Sequence, residues 1–158
     1  MLWFEQRALR LMYVLINPLR CLFWRLSGVP GRGTKCIVEH NGKFLLVRIN
    51  YAHKNWTFPG GGVKGKESYM KGAERELWEE TGIESHSLMP IGEYTTLQCG
   101  RDNIVKCFYI KADNSKVEID NFEIGQANWF SPQDLPSDRA PSVDRVIAFY
   151  REYEKNGL

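Results

Sequence analysis

The chain has 158 residues, of which 43% are hydrophobic and 25% are charged. This composition excludes a disordered chain and fits one compact domain with an extension. The formal net charge of +2 is nearly balanced, so the total charge excludes a protein that coats nucleic acid. Any basic site for an anionic substrate must therefore be a small cluster of Lys or Arg residues and not a property of the whole surface.

Residues 1–27 predict an amphipathic helical extension. Its apolar seam recurs at three- and four-residue steps and is formed by Leu9, Met12, Ile16, Leu19, Phe23 and Leu26. Pro18 predicts a kink or a break within it. Arginines flank the seam, so three roles stay open: packing against the same chain, pairing in a homodimer, or peripheral contact with an anionic membrane. A linker is expected over 28–33 and a catalytic domain over 34–158.

Two general features bear on location. No run approaches the roughly 18 apolar residues that a transmembrane helix needs. The four cysteines lack the spacing of a zinc site, so we expect buried, reduced thiols at Cys21, Cys36, Cys99 and Cys107. Reduced thiols favour a cytoplasmic location.

The first elements of the domain predict a β-hairpin followed by a helix. Short apolar runs at 36–38 and 43–49 are joined by Asn41 and Gly42, a strong two-residue turn signal. Residues 55–58 predict a further extended segment, which ends at a proline and three glycines. A helix is expected from the N-cap Ser68 to Thr81, with Gly82 ending it.

The remaining elements complete a mixed α/β pattern. Strands are expected over 92–98 and 104–111, around a loop at 100–103, and over 127–130. Apolar residues at helical spacing predict a closing helix over 142–154.

The predicted central helix carries Glu76, Glu79 and Glu80 on one arc about 100° wide. Like charges at these spacings repel by about 0.2–0.5 kcal/mol per pair, and no lysines are interleaved to relieve them. A solvated helix face is the alternative, but the cluster favours a bound cation. Carboxylates suit Mg²⁺ or Mn²⁺, whose remaining ligands are commonly substrate phosphates. Such a metal supports hydrolysis of a phosphoanhydride, and Gly72 on the same face could leave space for a ligand.

Residues 61–83, GGVKGKESYMKGAERELWEETGI, resemble the Nudix hydrolase motif GX5EX7REUXEEXGU. The matching positions are Gly61, Glu67, Arg75, Glu76, Leu77, Glu79, Glu80, Gly82 and Ile83. The resemblance implies an α/β/α sandwich around a mixed sheet. It also implies hydrolysis of a nucleoside diphosphate linked to a moiety X, with Mg²⁺ as cofactor and Mn²⁺ as an alternative.

The same resemblance implies roles for the motif residues. Glu79 and Glu80 are expected to bind the metal directly, with the Gly61 carbonyl as a further ligand. Glu76 is expected to be a ligand or the general base. Arg75 is expected to orient a glutamate, and Glu67 to bind metal or hold the loop.

Candidates outside the motif are less specific. Placement within the family indicates Glu123 as a further metal ligand or base from outside the motif, with Glu118 and Asp120 as rivals and a solvated loop acid as the alternative. Phosphate contacts are expected from Arg48, His53, Lys54, Lys64 or Lys66, each of which could instead be a solvated surface cation. Trp56 could stack on a base or pack in the core.

The sequence does not identify the moiety X. A proline and a tyrosine typical of two Nudix subfamilies are absent where Leu97, Gln98 and Cys99 stand. The expected partner is therefore a nucleotide-derived small molecule, with a 5′-triphosphate RNA end not excluded. The alternative function is a non-catalytic nucleotide or ADP-ribose sensor on the same fold.

Overall fold

The computed structural model describes residue 26 and residues 28–50, 55–119 and 123–157. The elements within these ranges are β1 (Gly31–His40), β2 (Lys43–Ile49), α1 (Tyr69–Thr81), β3 (Met89–Gln98), β4 (Arg101–Lys111), β5 (Ile124–Phe130) and α2 (Pro141–Gly157). Residues 1–25 and 27 lie outside the described part of the chain. The extension predicted there, its homodimer and membrane contacts, and the division from the linker stay predictions.

The five described strands form one mixed sheet in the order β3-β4-β1-β2-β5. Strand β1 runs parallel to β4, and every other neighbouring pair is antiparallel. Helix α1 packs on one face of the sheet against Cys36 and Val38, and helix α2 packs on the other against Ile37. The alternation of side chains along β1 therefore serves two cores, and the predicted α/β/α sandwich is confirmed.

Two tight turns connect strands that are consecutive and antiparallel, β1 to β2 and β3 to β4. The predicted Asn41–Gly42 turn is confirmed, with φ of 49° and 72° at its two residues. The second turn lies at Cys99 and Gly100, which also have positive φ. The loop predicted at 100–103 is wrong, because residues 101–103 already pair with 96–98 of β3.

Strand β1 begins within the segment 28–33 that the sequence predicts as a linker. Gly31 and Gly33 pair with Asn103 and Val105 of β4. A side chain at Gly31 would overlap the Asn103 amide oxygen, so glycine serves a close approach here and does not mark a loop. Strand β5 likewise begins at Ile124, three residues earlier than expected.

Cys36 and Cys107 are buried free thiols, as expected. Cys99 is disulfide-bonded, so the expected reduced thiol is wrong at this position. Within the described ranges, no helix has both the length and the apolar character needed to cross a bilayer.

Candidate active site

Helix α1 begins and ends where the sequence predicts. The Ser68 hydroxyl accepts a hydrogen bond from the Lys71 amide at 3.2 Å, and Gly82 adopts a left-handed conformation at φ 69°. Ala73 and Leu77 are fully buried against the sheet. This anchoring fixes the rotation of the helix and places the motif glutamates beside the glycine-rich loop.

Arg75 lies at the centre of the acidic cluster and contacts three glutamates. Its Nε and Nη2 atoms each donate to Glu67 at 3.0 Å. Its Nη1 atom donates to Glu76 at 2.7 Å and to Glu79 at 2.9 Å, and Nη2 also donates to the Gly62 carbonyl at 2.9 Å. Because charge-assisted contacts with a planar guanidinium restrict direction as well as distance, Arg75 fixes several carboxylates at once.

Glu67 is held in its ionised form by hydrogen bonds from two neighbours. The two hydrogen bonds from Arg75, followed by one from the Lys64 amide at 2.9 Å, lower its pKa to about 2. The Lys64 ammonium lies 3.7 Å from Glu79, so this predicted phosphate contact is at the cluster. Lys64 is exposed, and its contact with a phosphate stays a prediction.

Glu80 is buried and occupies a different environment. Burial raises its pKa to about 7, although the charge of Lys35 and a 2.8 Å hydrogen bond from the Gly60 amide oppose the shift. The charges of Glu76 and Glu123 raise it further. A carboxyl group that titrates near neutral pH beside other acids is well placed to exchange a proton for a cation.

Glu76 lies against the backbone of Gly61. A Cβ atom at Gly61 would come within 2.6 Å of the Glu76 Oε2 atom, so a larger residue there would require the Glu76 carboxylate to move. The pKa of Glu76 is raised, chiefly because the group is buried. The hydrogen bond and charge of Arg75 oppose this shift, whereas the charges of Glu79 and Glu123 add to it. The Gly61 carbonyl accepts from the Thr34 amide at 2.9 Å, and its role as a metal ligand stays a prediction.

Glu123 interacts electrostatically with both Glu76 and Glu80, so the structure brings it to the cluster. Its rival Glu118 is exposed and paired with Lys116. Asp120 lies outside the described residues. Of these candidates, Glu123 is the one whose charge acts on motif glutamates, and its role as the acid from outside the motif stays a prediction.

The absence of a side chain at Gly72 does not leave room for a ligand. A Cβ atom there would lie 3.0 Å from Val63 and 3.2 Å from the Glu67 carboxylate. The expectation from sequence is wrong at this position, because the loop that carries Glu67 packs closely against the helix.

Arg48 and Trp56 contact each other. Arg48 forms an ion pair with Asp138, and its guanidinium lies 4.6 Å from the centroid of the Trp56 ring. Trp56 is buried and meets Phe130 edge-on at 5.0 Å. The structure favours the core alternative for Trp56 over base stacking. The predicted contacts at His53 and Lys54 lie outside the described residues.

The donor chemistry of the cluster fits a hard divalent cation, since its side chains are carboxylates. As the side chains stand, however, the described residues contain no group of three or more acidic, cysteine or histidine residues arranged to hold a metal ion. Arg75 engages the oxygens of Glu67, Glu76 and Glu79 instead. A metal would have to share these carboxylates with the guanidinium.

Sequence reasoning missed Lys35, whose ammonium group reaches the glycine-rich loop and acts on Glu80. It lies outside the motif, between Thr34 and the apolar run at 36–38. A charged residue beside a buried strand run was the available signal, since such residues are seldom enclosed without a partner.

Comparison with known proteins assigns the family. Residues 30–150 match the model of the NUDIX domain. The chain belongs to the Nudix family. This match covers most of the chain, and it confirms the family and the hydrolase class expected from the sequence.

Curated relatives and solved structures agree with this assignment, and they differ in sequence identity and in how much of each chain they cover. A 49-residue stretch is 45% identical to the phosphatase NudJ of Escherichia coli K12 and covers 30% of this chain and 32% of NudJ. The match thus spans about a third of the length of that curated relative. The MutT NUDIX hydrolase of Burkholderia pseudomallei is 20% identical with a TM-score of 0.69, over 76% of this chain and 97% of that one. An Ap4A hydrolase of C. elegans is 19% identical with a TM-score of 0.68, over 79% and 98%. These structural likenesses show the Nudix fold.

Proposed function

We propose that the chain is a Mg²⁺-dependent pyrophosphohydrolase that cleaves a phosphoanhydride bond in a nucleoside diphosphate linked to a moiety X. The observation that carries the proposal is the convergence of the motif glutamates around Arg75 and the glycine-rich loop. The charges of Glu79 and Glu123 raise the pKa of Glu76 there, and the charges of Glu76 and Glu123 raise the pKa of Glu80. A cation is the chemical complement of such a cluster.

Glu79, Glu80, Glu76 and the Gly61 carbonyl would hold the cation, with Glu67 at the edge. When bound, Mg²⁺ or Mn²⁺ neutralises phosphate charge and lowers the pKa of water. Arg75 would keep Glu67, Glu76 and Glu79 oriented. Glu76 or Glu123 would accept the proton from the attacking water, because Glu76 lies against the glycine-rich loop and the charge of Glu123 acts on both Glu76 and Glu80.

The substrate-binding side is less specified. Lys64 is exposed beside Glu79 and is the described cation best placed to contact a phosphate. Arg48 would first have to leave Asp138 and the Trp56 ring. NudJ is named a phosphatase, another similar structure a UDP-X diphosphatase, and a third an Ap4A hydrolase. These names define a substrate panel.

A cytoplasmic location is part of this proposal. The buried free thiols of Cys36 and Cys107 support it, and the disulfide at Cys99 does not. Counting the thiols of the freshly extracted protein by alkylation under denaturing conditions would test it. Four alkylated cysteines would support a reduced, cytoplasmic protein, and fewer than four, as the disulfide at Cys99 implies, would contradict that location.

The function is tested by incubating the protein with Mg²⁺ and a panel of substrates, with products followed by ³¹P NMR. The panel contains sugar nucleotides, dinucleoside polyphosphates, nucleoside triphosphates, ADP-ribose and 5′-triphosphate RNA. At least one should be hydrolysed, and Glu79→Gln or Glu80→Gln should reduce turnover by orders of magnitude. Glu74→Gln, on the same helix but paired with Lys71, is the matched control. Ligand binding without turnover at any Mg²⁺ or Mn²⁺ concentration would instead indicate the sensor alternative.

A further inference from the structure

Lys35, on strand β1, reaches out of the sheet to the loop that precedes the motif. Its Nζ atom donates to the carbonyl oxygen of Phe58 at 2.8 Å and to that of Gly60 at 3.1 Å. The side chain is partly buried beneath this loop. One ammonium group therefore ties two backbone carbonyls that lie two residues apart.

The loop held by Lys35 contacts the acidic cluster through its backbone. The Gly60 amide donates to the Glu80 Oε2 atom at 2.8 Å, and Gly61 lies against the Glu76 carboxylate. The adjacent residue Thr34 also binds the loop, since its amide donates to the Gly61 carbonyl at 2.9 Å. A displacement of this loop would therefore move the surroundings of two motif glutamates.

The cluster is divided between two cations. Arg75 hydrogen-bonds Glu67, Glu76 and Glu79. Among charged neighbours, Lys35 acts most strongly on Glu80. Arg75 therefore contacts three of the motif glutamates, and the fourth, Glu80, has Lys35 as its neighbouring cation.

We propose that Lys35 is a positioning residue of the active site: it holds the loop at residues 58–60 so that the Gly60 amide keeps Glu80 oriented toward the metal position. The inference rests on the proposed metal-dependent function. A positioning role for Lys35 and a role as a simple counter-charge predict opposite effects on metal affinity. A nearby ammonium repels a metal ion, so a lysine that served only as a competing charge would weaken metal binding, whereas a lysine that positions the loop strengthens it.

The test is Mn²⁺ binding, measured by the electron paramagnetic resonance of free Mn²⁺ in titrations of the full chain. Lys35→Met keeps the aliphatic stem and removes the donor. It should weaken binding about 10- to 100-fold, the range typical of groups that orient metal ligands. Lys71→Met, an exposed lysine on α1, should leave binding unchanged. Unchanged or tighter binding in Lys35→Met would overturn the proposal.

A second measurement uses the unmodified protein and does not depend on a variant that folds. The NMR signal of the Lys35 ammonium should exchange slowly with water and show a cross-relaxation peak to the Gly60 amide. An ammonium that exchanges as fast as that of Lys71 would contradict the inference. If the unmodified protein binds no Mn²⁺, the proposed function fails instead, and the NMR signal still decides whether Lys35 holds the loop.

Discussion

The guanidinium of Arg75 binds the carboxylate of Glu67 through two parallel hydrogen bonds, Nε to Oε1 and Nη2 to Oε2, each 3.0 Å long. The remaining donor, Nη1, is shared between Glu76 and Glu79. One side chain therefore couples the loop that carries Glu67 to the helix that carries the candidate metal ligands.

Replacing Arg75 by lysine should uncouple these groups while keeping the charge. An ammonium cannot reproduce the paired contacts of a guanidinium. We expect Mn²⁺ affinity to fall about 10- to 100-fold, measured by titration with paramagnetic resonance detection. Arg151→Lys, an exposed change on α2, is the control and should bind Mn²⁺ as the unmodified protein does. Equal affinity in Arg75→Lys and the control would show that charge alone suffices.

The low pKa of Glu67 predicts how stability depends on pH. Arg75 lowers this pKa to about 2 in the folded protein, whereas the ordinary value is 4.5. As pH falls, the unfolded chain takes up the proton first, so the stabilisation present above pH 4.5 is lost as pH falls toward 2. Denaturant unfolding at pH 5, 4 and 3 should show this loss in the unmodified protein and a smaller loss in Glu67→Gln. Parallel curves for the two proteins would refute the ionic contact.

The raised pKa of Glu80 predicts that metal affinity depends on pH. Its pKa of about 7 in the metal-free protein means that it is partly protonated at neutral pH. A metal ligand must be deprotonated, so Mn²⁺ affinity should rise from pH 6 to pH 8 and binding at pH 7 should release protons. Calorimetry in buffers of different ionisation enthalpy measures that release. Binding without proton release across this range would exclude Glu80 as a titrating ligand.

Two glycines of the loop region form a matched pair for stability. Gly60 and Gly65 both have positive φ, at 131° and 46°. A Cβ atom at Gly60 would overlap the Thr34 carbonyl oxygen, whereas one at Gly65 would meet no atom within 4 Å. Gly65→Ala should cost roughly 1–2 kcal/mol for its left-handed backbone, and Gly60→Ala should cost more because backbone must also move. Thermal and denaturant unfolding would measure both, and an equal loss would remove the argument for a close approach at Gly60.

Local signals in the sequence identify helix α1 and the first hairpin. Ser68 and Gly82 mark the ends of the helix, and Asn41–Gly42 marks a turn, because each residue type has a specific backbone or capping preference. The turn at Cys99 carried no such signal, since cysteine is not typical of positive φ. The glycines at the start of β1 predict a linker, but they belong to a strand. Their role is to allow the close approach of Asn103, which arises only when strands distant in sequence pair.

The motif predicts which acids belong to the site but not how they are held. Arg75 and Glu79 lie four residues apart on α1, so their contact follows from helical spacing, whereas Glu67 reaches Arg75 from the loop before the helix. The role of Lys35 depends on a strand passing beneath a loop that begins more than 20 residues later, which the sequence pattern does not specify. The same limit applies to Trp56, whose ring is covered by Arg48 from a neighbouring strand.

The proposed activity of the glutamate cluster is hydrolysis of a phosphoanhydride with a divalent cation. Its most direct measurement is the reaction of the best substrate from the panel in ¹⁸O-labelled water, with Mg²⁺, for the unmodified protein and Glu79→Gln. We expect one labelled oxygen in a phosphate product for each bond cleaved, with the rate lowered by orders of magnitude in Glu79→Gln and no cleavage when Mg²⁺ is chelated. Cleavage at equal rates in the two proteins, or undiminished cleavage without a divalent cation, would contradict it.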